Sequence, residues 1–344
     1  MRFARPGIHC PPGLARRRLR RAGDHEATAP GAGISRGSPG RTRSTAEKRC
    51  HGPGTHGLLK LKLDSMRRLR ISAISYLNTA PLMWDFEHGD AGAGFDISYT
   101  VPSGCAAQLS DGSADIGIIP AAAYTTIPDL LILPGVAIAS RRQVRSILLV
   151  SKVPLEKIRT VALDTCSLTS VALTKVLFAK AWGGGRTFTP MEPDVERMLK
   201  SHDAGLVIGD PALRVDRSRF FTYDLAEEWV KLTGQTFVFA FWALRQAALP
   251  DASPSLDLAE IFQQSRDHGL QPENLERIAR DWAPQSGLSE TEVKEYLTQN
   301  IHYYLDPASL RGMQLFYACA LECGCLPAAP ALRFLDVTKL ALAE

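Results

Sequence analysis

Residues 163–170 join an apolar strand to a predicted helix through a run of hydroxyl side chains. Ser167, Thr169 and Ser170 place three hydroxyls within four residues at the helix start. The unpaired N–H groups of a helix N-terminus and the helix dipole favour an anion. Hydroxyls can donate to a carboxylate without the desolvation of a fixed cation. The pattern therefore indicates a carboxylate site, although simple N-capping by one of these residues would also explain it.

A second polar segment, at residues 75–82, follows the first apolar strand. Open α/β sheets bind ligands beyond the carboxyl ends of their strands, and Asn78 stands at that end of this strand. Its amide offers two donors and an acceptor, which suits the orientation of a polar substrate. The alternative is an Asn that turns the chain and caps the next helix.

Further polar residues stand beside predicted strands. Arg145 and Ser146 open an apolar strand, so the Ser146 hydroxyl could face a cleft. Arg145 could contact a carboxylate, although a surface position is commoner for Arg. Asp210 follows the strand at 205–208, and we expect it to cap a helix and to help shape the cleft. Asp115 is expected to anchor the structure and not to take part in chemistry.

Several well-known catalytic patterns are missing from the sequence. There is no P-loop, no Gly-rich dinucleotide fingerprint at a strand end and no zincin motif. The histidines after residue 65 are His88, His202, His268 and His302, and none lies in the polar segments above. The sequence therefore does not suggest a His general base.

The cysteines do not form a recognisable framework. There are 7 of them, an odd number with uneven spacing, which argues against a secreted disulfide scaffold. Cys319, Cys323 and Cys325 form the closest cluster, but no His lies nearby to complete a zinc set. We expect buried or reduced thiols there and no metal site.

From Leu69 onward, short apolar strands alternate with helices. The predicted strands cover 69–75, 95–101, 115–119, 147–150, 160–163, 187–190, 205–208, 220–223 and 237–244, with shorter apolar runs at 130–133 and 136–139. The predicted helices cover 79–86, 103–110, 170–181, 194–200 and 225–232, and residues 254–324 have a mainly helical pattern. This alternation predicts an α/β fold with a largely parallel sheet that is covered on both faces.

Two apolar strands, at 145–151 and 237–245, bracket the middle of the chain. A chain that leaves one α/β lobe and returns to it must cross twice, and a ligand cleft then lies between the lobes. We therefore expect one lobe from residues 66–144 together with 245–344, and a second lobe from residues 145–244.

Composition and charge separate the first 65 residues from the rest. The chain has 344 residues, 45% hydrophobic, and a net charge of +4, which are ordinary values for a globular protein of about two domains or lobes. Residues 1–65 hold 14 Lys and Arg against 4 Asp and Glu, whereas residues 66–344 hold 26 against 32. No run approaches the roughly 20 apolar residues of a membrane-spanning helix.

The basic segment cannot bury enough apolar surface to fold by itself, so we expect it to be disordered. Its composition superficially resembles an organelle transit peptide. Met66 precedes the first strand directly, which favours an upstream extension from a misplaced start at Met1. A nucleic-acid-binding role for this segment is an expectation only if it is translated, and no nucleic-acid or membrane partner is expected for the remainder.

Taken together, the polar segments resemble the chorismate dehydratase family of the futalosine route to menaquinone. The resemblance runs in order from residue 69 to about residue 245. It consists of SYLNTAPL at 75–82, DIGIIP at 115–120, RSILLVS at 145–151, SLTS at 167–170, IGD at 208–210 and TGQTFVFAFW at 233–242. The helical C-terminal part matches this family in character only.

The resemblance implies a two-lobed fold like that of the type II periplasmic binding proteins, used as a cytoplasmic enzyme. The reaction it implies converts chorismate to 3-[(1-carboxyvinyl)oxy]benzoate and water without a metal or an organic cofactor. The family's functional Asn and Ser fall on Asn78 and Ser146, which would orient the substrate and stabilise developing charge. The helix start at 167–170 would hold a carboxylate. The substrate's own enolpyruvyl carboxylate would take the proton, which fits the lack of an obvious protein base.

Two other functions stay open. A solute-binding protein of the same fold would bind an anion without chemistry, but that class is normally exported and neither Met1 nor Met66 begins a convincing signal peptide. The dihydroxynaphthoate synthase of the same pathway is expected to rely on a His base, and no suitably placed His stands in these motifs. Binding of chorismate without turnover would favour the first alternative.

Overall fold

The computed structural model describes residues 67–251 and 257–335, and the expectations for residues 1–65 and Met66 lie outside this part. The strands are β1 (Leu69–Ile74), β2 (Phe95–Thr100), β3 (Ile116–Pro120), β4 (Leu130–Ser140), β5 (Ile147–Ser151), β6 (Thr160–Asp164), β7 (Thr187–Met191), β8 (Ala204–Ile208), β9 (Phe221–Asp224) and β10 (Phe237–Arg245). The α-helices are α1 (Trp84–His88), α2 (Pro102–Asp111), α3 (Thr169–Lys180), α4 (Val195–Ser201), α5 (Asp210–Leu213), α6 (Leu225–Thr233), α7 (Leu258–Gly269), α8 (Pro272–Ser286), α9 (Glu290–Glu295) and α10 (Pro307–Glu322). Short 3-10 segments occupy Leu77–Met83, Ala91–Gly94, Ala121–Thr125, Leu155–Lys157 and Gln246–Asp251, and a π-helical turn occupies Tyr296–Asn300. No helix in the described ranges is both long enough and apolar enough to cross a membrane.

Periodicity located the elements well, because each predicted strand is present with ends that differ by at most one residue. The runs at 130–133 and 136–139 join into the single strand β4, whose pairing with β10 contains two register shifts. The helix expected at 79–86 is instead the 3-10 segment Leu77–Met83 followed by α1. Pro81 lies inside the 3-10 segment and has no N–H for a regular helical hydrogen bond.

The described strands form two five-stranded sheets, with the orders β2-β1-β3-β10-β4 and β7-β6-β8-β5-β9. β1 is parallel to β2 and β3, and β6 is parallel to β7 and β8. β10 is antiparallel to β3 and β4, and β5 is antiparallel to β8 and β9. Both sheets are therefore mixed, where a largely parallel sheet was expected. The antiparallel strand in each sheet is the first strand that the chain forms after it crosses from the other sheet. This strand is β5 in the second sheet and β10 in the first.

The position of β10 corrects one predicted lobe boundary. Residues 145–244 were expected to form the second lobe, yet β10 pairs in the first sheet, with Phe241 opposite Ile119. The chain therefore returns before Phe237, through residues 234–236 that follow α6. It leaves the first sheet after β4 and enters the second at β5, through residues 141–146.

The helical C-terminal part holds the loop that follows β1. The Ser265 hydroxyl in α7 donates to the Leu82 carbonyl at 2.9 Å and accepts from the Asp85 N–H at 3.0 Å. At Gly269 the same helix comes so close that a Cβ atom would stand 2.0 Å from the Pro81 carbonyl oxygen. In α10, the Tyr317 hydroxyl donates to the Ala121 carbonyl at 2.7 Å. These contacts fix the segments that carry polar residues to the cleft.

Candidate active site between the two sheets

A partly open cavity lies between the two sheets. Its lining residues are Ile74, Tyr76, Asn78, Pro102, Pro120, Ile138, Ile147, Ser167, Thr169, Ser170, Ile208, Gly209, Phe239 and Ala240. Ile74, Pro120 and Ile208 are the last residues of β1, β3 and β8, so the cavity stands at the carboxyl ends of parallel strands, where such folds bind ligands. An apolar wall with a few polar groups is typical of small-molecule sites.

The three hydroxyl residues at the start of α3 make different contacts. The Ser167 Oγ atom accepts from the Ser170 N–H at 3.2 Å, so this hydroxyl satisfies one N–H group of the first helical turn. Thr169 Oγ1 accepts from the Ala122 N–H at 3.0 Å and donates to the Phe239 carbonyl at 3.1 Å. The two contacts of Thr169 bind α3 to β10 and to the 3-10 segment that follows β3. The Ser170 hydroxyl takes part in none of these bonds and belongs to a residue that lines the cavity.

Two more hydrogen bonds cross the cleft. The Ser103 N–H at the start of α2 donates to the Cys166 carbonyl at 3.1 Å. The Leu77 N–H donates to Asp210 Oδ1 at 3.1 Å. Burial raises the pKa of Asp210 to about 6, against the opposing influence of the Leu77 N–H. Asp210 is not among the lining residues, and it contributes by holding the loop that carries Asn78.

Asn78 lines the cavity, and Ser146 lies just behind the wall with its side chain fully buried. Among the described residues, the Ser146 hydroxyl has no hydrogen-bond partner of standard geometry. The Ser146 and Asn78 side chains both face the Tyr296 hydroxyl. Burial raises the pKa of Tyr296, and these two polar neighbours oppose the rise. The structure therefore brings Asn78, Ser146 and Tyr296 together.

The sequence gives no indication of Tyr296, because this residue lies in the C-terminal part, which carries none of the polar motifs. The one signal there is structural. Tyr296 begins the π-helical turn Tyr296–Asn300, and π turns within helices occur frequently at functional sites. Nothing in the sequence pattern marks that turn.

Arg145 does not place its side chain among the residues that line the cavity. Its backbone is unusual, with a φ of 64°, and its N–H donates to Asp224 Oδ2 at 2.6 Å. The contact that its guanidinium could make with a substrate carboxylate stays a prediction. Its charge does reach Tyr296, where it favours the phenolate form.

Two buried aspartates have contrasting environments. Asp164, at the end of β6, accepts from the Cys166 N–H at 2.7 Å through Oδ1, while Oδ2 has no partner in the described part of the chain. Burial raises the pKa of Asp164 to about 6. At Asp115, burial opposes ionisation, but hydrogen bonds from Arg70 and Arg67 hold the pKa of the carboxyl below its ordinary value. Asp115 thus anchors the structure, as expected.

The cysteine cluster lies in and after α10, with Cys319, Cys323 and Cys325 all present as partly exposed free thiols. Within residues 67–251 and 257–335, no group of three or more His, Cys, Asp and Glu side chains is arranged to hold a metal ion. Burial raises the pKa of both Cys319 and Cys325. These residues are not part of the cavity wall.

A family model described as menaquinone biosynthesis matches residues 69–322. The chain belongs to this menaquinone biosynthesis family. The match extends beyond the polar motifs into the helical C-terminal part. The family resemblance inferred from the ordered motifs is confirmed at this level.

Individual proteins are also similar to this chain. The chorismate dehydratase of Thermus thermophilus is 29% identical to it over 269 residues, which cover 73% of this chain and 94% of that protein. Among solved structures, protein AF1704 from Archaeoglobus fulgidus has a TM-score of 0.59 at 16% identity, covering 75% of this chain and 98% of that one. The alkanesulfonate-binding protein SsuA from Xanthomonas axonopodis has a TM-score of 0.54 at 18% identity, covering 76% and 95%. The fold is therefore of the periplasmic-binding-protein type, as expected.

Proposed function

We propose that this family member is a chorismate dehydratase, a carbon–oxygen lyase that converts chorismate to 3-[(1-carboxyvinyl)oxy]benzoate and water in the futalosine route to menaquinone. The family match and the 29% identical chorismate dehydratase support this reaction class. The observation that carries the proposal is the buried Ser146 hydroxyl, which has no hydrogen bond of standard geometry to the described residues and stands with Asn78 and Tyr296 beside the cavity. We place the activity in the cytoplasm, with chorismate as the small-molecule partner.

The reaction breaks two bonds between ring carbons and their substituents, one C–O bond and one C–H bond. The ring hydroxyl departs with the electrons of its C–O bond, and the adjacent ring carbon loses a proton. The electron pair of that C–H bond becomes a ring double bond, and the ring turns aromatic, which supplies the driving force. The departing hydroxide and the proton together make one molecule of water. The protein must therefore orient the substrate, accept or relay one proton and stabilise the departing oxygen.

The proton acceptor that we propose is the enolpyruvyl carboxylate of the substrate. The residues that line the cavity include no His, Lys, Asp or Glu side chain. The two aspartates nearest in sequence to lining residues, Asp210 and Asp164, are not themselves part of the cavity wall. A carboxylate held next to the C–H bond by the substrate's own ether linkage has the advantage of an intramolecular base.

Ser146 and Asn78 are the groups that we assign to the departing oxygen and to substrate orientation. Hydroxyl and amide donors in a dry site stabilise developing negative charge more strongly than they do in water. The Tyr296 hydroxyl keeps its proton, because burial raises its pKa, and so can donate to either neighbour and hold it in place.

The remaining predicted site residues receive supporting roles. We assign a substrate carboxylate to the start of α3, with the Ser170 hydroxyl as the side-chain donor. Ser167 and Thr169 act by holding that helix start in place, because their hydroxyls are bonded to protein groups. Asp210 holds the loop of Asn78. Arg145 acts through its backbone, as argued below.

The test is turnover of chorismate by purified protein, with product separated by chromatography and identified by mass. We expect conversion with EDTA present, and about a hundredfold lower kcat for both Ser146→Ala and Asn78→Ala, the size typical for loss of one donor to developing charge. Ser201→Ala at an exposed position and Asn274→Ala at a half-buried one are matched controls outside the cavity wall, and both should keep the parental rate. Tight binding of chorismate without product would overturn the proposal in favour of a solute-binding protein.

A further inference from the structure

Arg145 adopts a left-handed backbone conformation in the segment that carries the chain from the first sheet to the second. Its φ is 64°, and Asp129 is the other non-glycine residue with positive φ in the described part. This conformation is sterically unfavourable for residues with a Cβ atom, and glycine adopts it freely. Such strain persists only where surrounding contacts determine the backbone, and it is frequent at functional sites.

The Asp224 carboxylate supplies the contacts that hold Arg145. Asp224 is 5% exposed, and its Oδ2 atom accepts from the Arg145 N–H at 2.6 Å. Its Oδ1 atom accepts from the Val144 N–H at 3.0 Å. The same Oδ1 atom caps α6 by accepting from the Ala226 and Glu227 N–H groups at 3.1 and 3.2 Å. One carboxylate therefore caps α6 and also binds the segment that crosses between the sheets. Its Oδ2 atom accepts from Arg145, and its Oδ1 atom accepts the other three bonds.

Ser146 follows directly, and its position is determined from both sides. The Arg145 carbonyl accepts from Arg217 Nη2 at 3.1 Å, and the Ser146 carbonyl accepts from the Gly209 N–H at 2.8 Å. If the Arg145 backbone relaxed to negative φ, the Ser146 Cα–Cβ bond would turn with it. The Ser146 hydroxyl would then leave Asn78 and Tyr296, its neighbours at the cavity.

We propose that Asp224 is a positioning residue for the dehydration: its Oδ2 atom holds the left-handed backbone at Arg145 and so directs the Ser146 hydroxyl toward the substrate. The proposal rests on the proposed function, because it assigns Ser146 to the reaction. If Asp224 had only a structural role, its cap of α6 through Oδ1 would be sufficient and the bond from Oδ2 to Arg145 would not affect turnover.

Asp224→Asn separates these two roles. Asn is as good an N-cap as Asp, so its oxygen can keep the three bonds of Oδ1. Its amide nitrogen then faces the Arg145 N–H and cannot accept from it. We expect α6 and the melting temperature to be largely retained, kcat to fall about tenfold or more and KM to stay close to the parental value. Asp194→Asn, the same change at the cap of α4, is the matched control and should leave kcat unchanged.

Backbone rescue supplies the decisive readout. Arg145→Gly and Arg145→Ala remove the same side chain, but only glycine takes the left-handed conformation without strain. Asp224→Asn should therefore lower kcat about tenfold in the Arg145→Ala background and by less than about threefold in the Arg145→Gly background. Equal losses in the two backgrounds would overturn the proposal, as would parental kcat in the single variant Asp224→Asn.

Amide hydrogen exchange tests the positioning without any turnover. The Arg145 N–H should be protected in the parental protein and exchange faster in Asp224→Asn, while the Ala226 and Glu227 amides stay protected. If the parental protein does not dehydrate chorismate, the proposed function fails, whereas this exchange pattern still decides whether Asp224 holds the backbone. Unchanged exchange at Arg145 would refute that hold even in an active enzyme.

Discussion

Replacement of Thr169 by Val is the sharpest test of how the cleft is held together. Thr169 is 2% exposed, and its hydroxyl accepts from the Ala122 N–H at 3.0 Å and donates to the Phe239 carbonyl at 3.1 Å. Val has nearly the same shape and cannot form either bond. The change therefore removes one hydrogen bond between α3 and β10 and one between α3 and the 3-10 segment Ala121–Thr125, and it leaves the space filled.

The magnitude follows from the buried groups left behind. A typical intramolecular hydrogen bond contributes about 1 kcal/mol net, and a buried donor left without a partner costs about 1–3 kcal/mol. Loss of the bond to the Phe239 carbonyl and desolvation of the Ala122 N–H together should lower the free energy of unfolding by about 2–4 kcal/mol. For a folded unit of this size, each kcal/mol shifts the melting temperature by about 2–4 °C, so we expect a fall of about 4–16 °C.

The assay is thermal unfolding followed by circular dichroism, with chorismate turnover measured on the same samples below the transition. Thr169→Ser retains the hydroxyl and should lose much less stability than Thr169→Val, although it loses a methyl group. A melting temperature for Thr169→Val equal to that of the parental protein would refute the assignment of a cross-cleft bond. Normal stability with a large loss of chorismate affinity would instead make Thr169 a substrate contact.

Three further outcomes follow from single side chains. Asp164→Asn should raise the free energy of unfolding near pH 7.5 and change it little below pH 4, as measured by urea unfolding at both pH values. Burial raises the pKa of Asp164 to about 6. The stability that the protonated carboxyl contributes is therefore fully present below the unfolded-state pKa and is lost as the pH rises through about 6. Tyr296→Phe should keep the melting temperature within a few degrees and lower kcat about tenfold in the turnover assay, because the hydroxyl that faces Ser146 and Asn78 is removed; parental kcat would remove Tyr296 from the site. Gly312→Ala should destabilise the protein strongly in thermal unfolding, since its Cβ would stand 1.9 Å from the Thr236 carbonyl oxygen, whereas Gly184→Ala, with open space around it, should be nearly neutral.

The sequence predicted the elements of this fold because their signals are local. Alternation of short apolar runs with helices placed β6 and α3 to within one residue, and the hydroxyls at the start of α3 and the amide of Asn78 were recognised as polar groups at strand ends. Sheet membership was harder. β10 is apolar as far as Leu244, and only its pairing with β3 and β4 shows that it belongs to the first sheet.

The contacts that complete the site depend on pairs far apart in the chain. Thr169 meets Ala122 and Phe239 across 47 and 70 residues, and no local pattern distinguishes a hydroxyl used in this way from one that faces a ligand. The same limit applies to Tyr296, which comes from a helical region without polar motifs. The left-handed backbone at Arg145 could not be predicted either, because positive φ is uncommon for residues other than glycine and Arg gives no indication of it.

Charge gives a physical reason for the neutral wall of the cavity. Residues 66–344 are net acidic, with 26 Lys and Arg against 32 Asp and Glu, while the proposed substrate carries two carboxylates. The cavity lining includes no Lys or Arg. The ring carboxylate is unchanged by the reaction, so a cation that paired with it would bind substrate and product alike and would not accelerate the chemical step. A cation paired with the enolpyruvyl carboxylate would weaken it as the proposed base. Negative charge develops at the departing hydroxyl, and there the donors that we assign, Ser146 and Asn78, can act on the transition state.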